Sequence, residues 1–476
     1  MTALVLRLQL LQWRRDPRLL TLLSVATMLV LGATIWATAG DLAQRDARST
    51  AVHQAREQWE GRGAANPHQM AHFGDFAFRP TGPLARLDRG VQARLGKVVF
   101  IEGHRQGVPM HSDVARAGTV ARFVRPDAAF MLQTIVPLLL IFLGAAGFAR
   151  DRETGRLKLK LVQGVGARAV LRGHFVALWG LGLAFVCLVV TSSVVTSAVQ
   201  GSATVESPAR LLGFVVAHTV FMAFVAGAIV VATAWRRTVR AALLTLLAGW
   251  VVGTTLLPRA TATVSTAAVP LPSQDAFQAR MRESREAGAD GHNPQDAEVA
   301  RRRAAMMEEH GVDDVEALPL NFDGIAMQVD EEFGNQVWDE HYGELRRRLA
   351  QQVSIASLAT LGNPFQAIDH VSMSLSGTDL AHDLAFQEQA EAFRRELIAR
   401  LNHEHAYGGS KTGEWSWKAP PEFFAGLDTF EYRAPGVAEA LGGRTVELLT
   451  LALWVLLLLW AQRRAADRLE RGTLPC

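Results

Sequence analysis

The chain has 476 residues, 49% of them hydrophobic, and a formal net charge of +3 at pH 7. This basic excess does not indicate nucleic-acid binding, because the arginines and lysines cluster beside apolar stretches, where anionic lipid attracts them. The two cysteines, Cys187 and Cys476, lie outside the two long hydrophilic inserts, so we expect these inserts to fold without disulfides.

Six apolar stretches predict six transmembrane helices. Most of them have the roughly 17–25 residues that a helix needs to cross the hydrocarbon core of a bilayer. The last is shorter and begins beside Glu447, so we expect its helix to extend outward through Val446. The stretches cover residues 19–38, 130–148, 175–195, 211–235, 241–257 and 448–461.

Basic residues predict the orientation of these spans. They precede the first span, fill the loops between spans two and three and between spans four and five, and follow span six. The positive-inside rule therefore predicts that both termini are cytoplasmic and that both inserts face outward. The predicted organisation is an N-terminal segment with the first span at 1–39, a first extracytoplasmic insert at 40–126, spans two to five at 127–257 with a cytoplasmic loop at 149–172, a second extracytoplasmic insert at 258–444, and the last span with a cytoplasmic tail at 445–476.

The inserts are predicted to be mostly helical, with one strand. An apolar run between two glycines predicts a short buried strand at 97–102. Asn293 and Pro294 have the cap and first-turn chemistry of a helix that ends at Gly311. Apolar residues recur at spacings of three and four over 329–361 and over 385–402, which predicts two further amphipathic helices.

The loop between spans two and three carries a mechanistic signal. Its residues from Asp151 to Leu157 are mostly charged and include a glycine, and its basic run ends where span three begins. A short polar helix there would lie along the membrane face, where a soluble motor protein could push it. The alternative interpretation is a solvated basic loop without a partner.

Histidines provide a weak metal signal in the first insert. His68 and His72 are four residues apart, a spacing that puts both on one face of a helix, and His53, His104 and His111 lie elsewhere in this insert. No acidic or thiolate partner completes the set, and the surrounding glycine and proline residues disfavour a helix. The sequence therefore favours the absence of a metal site.

His218 lies within the fourth span. An ionisable group at membrane depth usually faces the interior of a helix bundle or an aqueous path. A neutral histidine that is hydrogen-bonded to a neighbouring helix fits the sequence equally well. A continuous polar path containing His218 would favour transport between the spans.

The sequence has no recognisable nucleotide or hydrolytic motif. The nearest approach to a phosphate-binding loop is Gly409-Ser410-Lys411-Thr412, which has serine at the position of the second glycine and lies in the second insert. There is no HExxH, GxSxG or CxxC sequence either. We therefore expect a protein that is not itself an enzyme and has no catalytic residues.

The loop at 149–172 resembles the cytoplasmic coupling segment of ABC-2-type transporter permeases, in which an acidic residue and a glycine precede a short helix. Lys158 and Lys160 depart from the more apolar pattern of the family and leave the helical state of this segment open. Both inserts resemble the outer domain, of no assigned function, of a bacterial subgroup of these permeases. This likeness covers nearly the whole chain and includes Phe76-Ala77-Phe78-Arg79-Pro80, Leu318-Pro319-Leu320-Asn321-Phe322 and Asn363-Pro364-Phe365.

The resemblance implies an all-α polytopic membrane protein of the bacterial inner membrane, with six transmembrane helices and a mostly helical outer domain that has a minor β element. It implies a permease subunit that couples ATP hydrolysis by a separate ABC ATPase to transport, with export as the expected direction. A second permease copy, identical or related, would complete the assembly, and no cofactor is expected. The residues expected to couple to the ATPase are Arg152, Glu153, Gly155, Arg156 and Leu157.

Two other classes remain open from the sequence. The first is a mechanical transmission protein, whose outer domain acts on an envelope or periplasmic partner while nothing passes between the helices. A sealed apolar bundle would favour this class. The second is a membrane-anchored metal-binding or sensory protein, which would need a convergent set of ligands in the outer domain.

Overall fold

The computed structural model describes residues 1–113, 127–200, 207–293 and 295–471. Within these residues, six helices are long and apolar enough to cross a membrane, at each of the six predicted positions. The predicted fold class, an all-α polytopic membrane protein, is confirmed. The helices, numbered spans 1 to 6, are Pro17–Glu60, Ala128–Glu153, Ala167–Val199, Pro208–Trp235, Val239–Ala268 and Thr445–Glu470.

Several spans continue beyond their apolar stretch. Span 1 runs to Glu60 and span 5 to Ala268, so the predicted boundaries at 39/40 and 257/258 mark a change of hydropathy within continuous helices. Span 6 has 26 residues and begins at Thr445. Its start agrees with the predicted outward extension through Val446, and its length is enough to cross a bilayer.

Two spans contain a wider helical turn next to a proline. Span 2 has a π-helical turn at Met131–Ile135, just before Pro137, and span 5 has one at Val252–Leu256, just before Pro258. Proline has no N–H for the helical hydrogen-bond ladder, and such wider turns occur frequently at functional sites.

Spans 2 and 4 form the centre of the bundle, and spans 1, 5 and 6 expose most of their apolar surface. Leu132, Leu140, Phe214 and Phe221 are fully buried in this core. The N-terminal helix Thr2–Arg15 lies against span 3 and exposes apolar side chains on its other face, as expected of a helix at a membrane interface.

Part of the second insert returns to the span bundle. The turn at 360–363, which we call the inserted turn, lies between spans 5 and 6. The Trp454 indole donates to the carbonyl of Leu361 at 2.9 Å, and the Asn363 amide donates to the carbonyl of Gly253 at 2.9 Å. The turn contains the 3₁₀ turn Thr360–Gly362 and connects the long helix Phe322–Ala359 to the helix Pro364–Ser376.

Both inserts pack into one outer domain at the same end of the bundle. The strands β1 (Asp75–Phe78) and β2 (Val98–Ile101) pair antiparallel, with Asp75 opposite Ile101. The predicted strand is confirmed, but only Val99 and Ile101 are buried, so one face of the strand stays partly exposed. The indole of Trp59 donates to the carbonyl of Phe424 at 3.3 Å and joins the two inserts.

The predicted helices of the second insert are present with different bounds. The helix predicted at 329–361 is Phe322–Ala359, and the one predicted at 385–402 is Leu380–Tyr407. The third is Ala297–His310, with Asp296 as its cap rather than Asn293, and Pro294 lies outside the described residues. The remaining helices and 3₁₀ turns of the described residues are Pro67–Phe73, Gln92–Arg94, Arg156–Val162, Gln274–Glu286, Val315–Ala317, Pro421–Ala425 and Val437–Gly442.

We call the end of the bundle that carries the loop 149–172 the basic end, and the opposite end, which carries the outer domain, the insert end.

Candidate functional site

A short helix forms in the loop at the basic end. Gly155 has φ of 73°, in the left-handed region that favours glycine, and lets the chain turn sharply after span 2 into the helix Arg156–Val162. This helix, which we call the coupling helix because it lies in the predicted coupling segment, forms despite the alternating lysines of its sequence. Leu157 is fully buried and holds it against the bundle, whereas Leu159 and Val162 are 59% and 79% exposed.

Arg152 is buried at the end of span 2. Its guanidinium donates to the carbonyls of Ala234 and Arg236, each at 2.8 Å, at the end of span 4. These carbonyls belong to the last turn of a helix, where backbone acceptors have no partner within the helix. Arg152 therefore ties the end of span 2 to the end of span 4 rather than facing solvent.

Glu153 contacts the next span. Its Oε1 accepts a hydrogen bond from the backbone N–H of Val239 at 2.8 Å. Val239 is the first residue of span 5, where free N–H groups and the helix dipole favour a carboxylate. The turn between spans 4 and 5 is thus bound on both sides by consecutive residues of the predicted coupling segment.

Asp151 and Arg156 make their contacts within the loop, whereas Arg168 pairs with Asp467 of span 6 at 2.7 Å. The Arg156 Nε donates to the Thr154 hydroxyl at 3.0 Å and lies 3.4 Å from Asp151 Oδ1. Asp151 is buried and also pairs with Lys160. The sequence did not single out Asp151, although a carboxylate between span 2 and a basic run is a signal for such a pair.

An apolar cavity of about 700 Å³ lies between spans 2, 4, 5 and 6. Spans 4 and 5, whose ends contact Arg152 and Glu153, supply much of its wall. The inserted turn closes part of it. The larger apolar side chains that line it include Ile141, Phe224, Trp235, Trp250 and Trp454.

A second cavity, of about 590 Å³, lies nearer the insert end and is lined by both polar and apolar residues. Asp88, Asp127 and Asp369 contribute carboxylates to its wall. The two cavities share Trp250, Gly253 and Phe365 as lining residues. They therefore adjoin each other along the bundle.

His218 lies behind the wall of this second cavity. It is fully buried, with its Nδ1 2.9 Å from the carbonyl of Phe214 and its Nε2 3.3 Å from the Gln133 amide nitrogen. Gln133 lines the cavity, and His218 does not. The geometry is that of a histidine hydrogen-bonded to a neighbouring span, and its cavity-facing partner was not predicted.

His68 and His72 lie on one helical turn of the outer domain. The expectation that glycine and proline disfavour a helix here is wrong, because Asn66 caps the helix Pro67–Phe73 and Pro67 occupies its first position. Proline is favourable there, since that N–H needs no helical partner. The Nε2 atoms of His68 and His72 are 3.2 Å apart.

Two more histidines complete a cluster. His104 follows β2, with its ring centroid 5.2 Å from that of His72, and His292 of the second insert lies 4.7 Å from His104. One nitrogen from each of the four imidazoles, including His68, lies within 4.8 Å of the others. We call these four residues the histidine cluster.

The cluster draws histidines from both inserts. Among the other histidines of the first insert that the sequence singled out, neither His53 nor His111 belongs to it. His292 was not predicted, because it lies far along the chain in the second insert, and no local pattern connects it to the first insert.

Acidic residues border the cluster, contrary to the sequence expectation. The Asp330 carboxylate lies 2.8 Å from His104 Nδ1, and Glu331 accepts from the His104 backbone N–H. Burial raises the pKa of Asp330, but hydrogen bonds from His104 and Arg285 outweigh this effect and lower it to about 2. The carboxylate is therefore ionised at neutral pH.

Burial, reinforced by repulsion from neighbouring imidazoles such as His72, lowers the pKa of His68 to about 3. The same two causes lower the pKa of His72. Burial is the larger one, and among the imidazoles His104 gives the strongest repulsion. These rings are thus neutral at pH 7 and keep a nitrogen lone pair.

Comparisons with known families agree with the resemblance noted in the sequence. A family described as "ABC-2 family transporter protein" matches residues 4–284, and one described as "Domain of unknown function (DUF3526)" matches residues 275–425. The first match covers more than half of the chain. No curated protein and no solved structure matches the chain.

Proposed function

Because the chain belongs to the ABC-2 family of transporter permeases, we propose that it moves a substrate through its span bundle when a separate ABC ATPase hydrolyses ATP. The observation that carries this proposal is the contact of Arg152 and Glu153 with the turn between spans 4 and 5. These two spans wall the apolar cavity. A displacement of the coupling loop therefore acts directly on the lining of a cavity.

The coupling helix is the proposed docking surface for the ATPase. Leu159 and Val162 expose apolar side chains at the basic end, next to the charged Lys158. Their position on a helix anchored by the buried Leu157 suits a contact that transmits force. The basic end is then the cytoplasmic end, in agreement with the positive-inside rule.

The same displacement would reach the outer domain through the inserted turn. Span 5 is bonded to Asn363 through the carbonyl of Gly253. The long helix Phe322–Ala359 leads from the inserted turn into the outer domain. Movement of span 5 therefore shifts the helix that connects the bundle to the outer domain.

The two adjoining cavities form the proposed substrate path. The Phe365 ring packs edge-on against Phe221 and Phe224 of span 4, with centroids 5.4 and 5.7 Å apart, and borders both cavities. An apolar cavity next to one that also offers polar and charged side chains fits an amphipathic substrate that moves outward past Phe365. Such cavities differ from the sealed apolar bundle expected of a purely mechanical transmission protein.

The assembly would contain a second permease copy in the bacterial inner membrane. Spans 1 and 5 expose most of their apolar surface and offer faces for that copy as well as for lipid. Orientation can be tested with single cysteines at Ala64 and Gln163, both exposed, in a chain without other cysteines. An impermeant thiol reagent should label intact cells at position 64 and not at 163; the reverse result would overturn the orientation.

Copurification tests the ATPase partnership. We expect mild-detergent extracts of native membranes to yield the permease with an ATP-binding protein, and Val162→Glu to lose that protein. Val199→Glu is the matched control, because Val199 is 81% exposed at the insert end. Recovery of no ATP-binding protein with the wild-type chain would contradict the proposed function, and equal recovery with both variants would contradict the docking surface.

A further inference from the structure

The histidine cluster is independent of the transport path, and nothing in the proposed function requires it. We propose that His68, His72, His104 and His292 together bind one divalent transition-metal ion, with Zn²⁺ as the first candidate. Imidazole nitrogen is a preferred ligand of Zn²⁺, Cu²⁺ and Ni²⁺, whereas Mg²⁺ and Ca²⁺ prefer oxygen.

The separation of the nitrogens fits this chemistry. Zinc–nitrogen bonds of about 2.0–2.1 Å in a tetrahedral site put neighbouring nitrogens roughly 3.3 Å apart. The Nε2 atoms of His68 and His72 are 3.2 Å apart, and all four ligand nitrogens lie within 4.8 Å of one another. Small rotations of the outer rings would complete the site.

The carboxylates beside the cluster have the arrangement that orients a metal-binding histidine. A ligating histidine commonly donates its second ring nitrogen to a carboxylate, which fixes the ring and its tautomer. The Asp330 carboxylate holds His104 Nδ1 at 2.8 Å, which directs Nε2 of that ring to the ion. Asp330 is in turn paired with Arg285 at 2.6 Å.

The backbone of His104 is also held in an uncommon conformation. Its φ is 64°, in the left-handed region that residues other than glycine rarely adopt. Glu331 accepts from its N–H and pairs with the fully buried Arg394 at 2.7 Å, which stabilises this conformation. Conformations of this kind are concentrated at ligand-binding and catalytic sites.

The competing explanation is a hydrogen-bonded group of neutral imidazoles with no ion. In that arrangement the contact between His68 and His72 would be an N–H···N bond. Both arrangements leave the buried Nδ1 of His68 without a hydrogen-bond partner among the described residues, so they differ only in what the Nε2 atoms bind. Only in a metal site does the loss of one ring lower the affinity of the other three for Zn²⁺.

An ion at this position would join the two inserts. His68, His72 and His104 belong to the first insert and His292 to the second. The inserts contain no cysteine, so a metal is the available cross-link between them. We therefore expect the ion to stabilise the outer domain, because an ion that binds only the folded state adds its binding free energy to stability.

The test uses the full chain in detergent, purified with a tag that contains no histidine and stripped of metal with a chelator. Titration of Zn²⁺ against a chromophoric chelator should give one ion per chain, and Co²⁺ should give the intense visible bands of a tetrahedral nitrogen site. His72→Ala and His292→Ala should each lower the Zn²⁺ affinity by at least about tenfold. Both side chains are exposed, so both variants should fold.

His53→Ala and His310→Ala are the matched controls, because both histidines are exposed and outside the cluster, and their affinity should equal that of the wild type. Zn²⁺ should raise the Tm of the wild type and of the controls, and not that of His72→Ala or His292→Ala. An unchanged Zn²⁺ affinity in His292→Ala, or no binding by the wild type beyond that of His72→Ala, would overturn the proposal.

Discussion

The two ends of the span bundle use charged residues in different ways. At the basic end, Arg152 and Glu153 bind backbone carbonyl and N–H groups at the ends of spans 4 and 5. At the insert end, Arg394 and Asp379 bind other charged side chains in buried networks. Bonds to helix ends allow a loop to move together with its helices, whereas buried side-chain networks hold a domain as one body. The basic end therefore suits an input of motion and the outer domain suits a rigid lever.

The buried network around Arg394 gives the largest expected effect. Arg394 is fully buried and pairs with Glu331 at 2.7 Å and Glu391 at 2.8 Å. Arg394→Ala leaves two buried carboxylates without their partner, so we expect a loss of about 3–5 kcal/mol in the free energy of unfolding of the outer domain. Denaturant titration of the full chain in detergent, followed by proteolysis of the outer domain, measures this loss.

Arg400→Ala is its control, because the pair of Arg400 with Asp428 is exposed. Exposed pairs contribute roughly 0–1 kcal/mol. If both variants lose the same stability, the outer domain is not held by its buried charges, and the contrast between the two ends disappears.

A pH-dependent effect should distinguish the insert end from the basic end. Burial raises the pKa of Asp379, but hydrogen bonds from His382 and Arg444 outweigh burial and hold its pKa below the usual range. Arg210 and Tyr432 also face this group. A depressed pKa in the folded state contributes stability above the unfolded value of about 3.9, and that contribution is lost as the pH falls below it.

Asp379→Asn should therefore cost about 1.5–3 kcal/mol at pH 7, the range of hydrogen bonds to charged groups. The difference from the wild type should shrink as the pH falls below about 4. Unfolding measured across pH 3 to 7, with the exposed Asp313→Asn as control, tests this. A difference that stays constant with pH would assign the loss to packing instead of charge.

At the basic end the expected loss is in coupling. Arg152→Lys keeps the charge but cannot reproduce the forked contact with the carbonyls of Ala234 and Arg236. One such hydrogen bond contributes about 1.5 kcal/mol. If it acts only while ATP hydrolysis drives transport, its loss should lower ATP-driven transport roughly tenfold. Arg150→Lys is the control, because Arg150 lies two residues before Arg152 and is exposed. Equal transport by both variants would exclude Arg152 from the coupling contact.

The smallest effect on stability is expected for Glu153→Ala. This surface change should cost no more than about 0.5–1 kcal/mol, and the spans and outer domain should stay folded. ATPase activity and transport of the reconstituted complex should nevertheless fall, because the N–H of Val239 loses its acceptor. Gly155→Pro should act in the same direction, since proline cannot adopt the φ of 73° found there. If both variants assemble and keep full activity, the loop is not the coupling element.

The sequence by itself determined the six spans, the strand and the main helices of the inserts. These features depend on local quantities, namely the length of an apolar run, its periodicity and the caps at its ends, so they can be predicted without a partner segment. The same local chemistry was underestimated at His68 and His72, where Asn66 and Pro67 begin a helix.

Tertiary structure alone decided what the candidate residues touch. Arg152 and Glu153 bind residues more than eighty positions away in the sequence, and His292 joins His68, His72 and His104 from the other insert. The sequence did not predict the return of residues 360–363 to the bundle, for the same reason. Such contacts depend on how long helices pack against each other, and the distance between two residues along the chain does not contain that information.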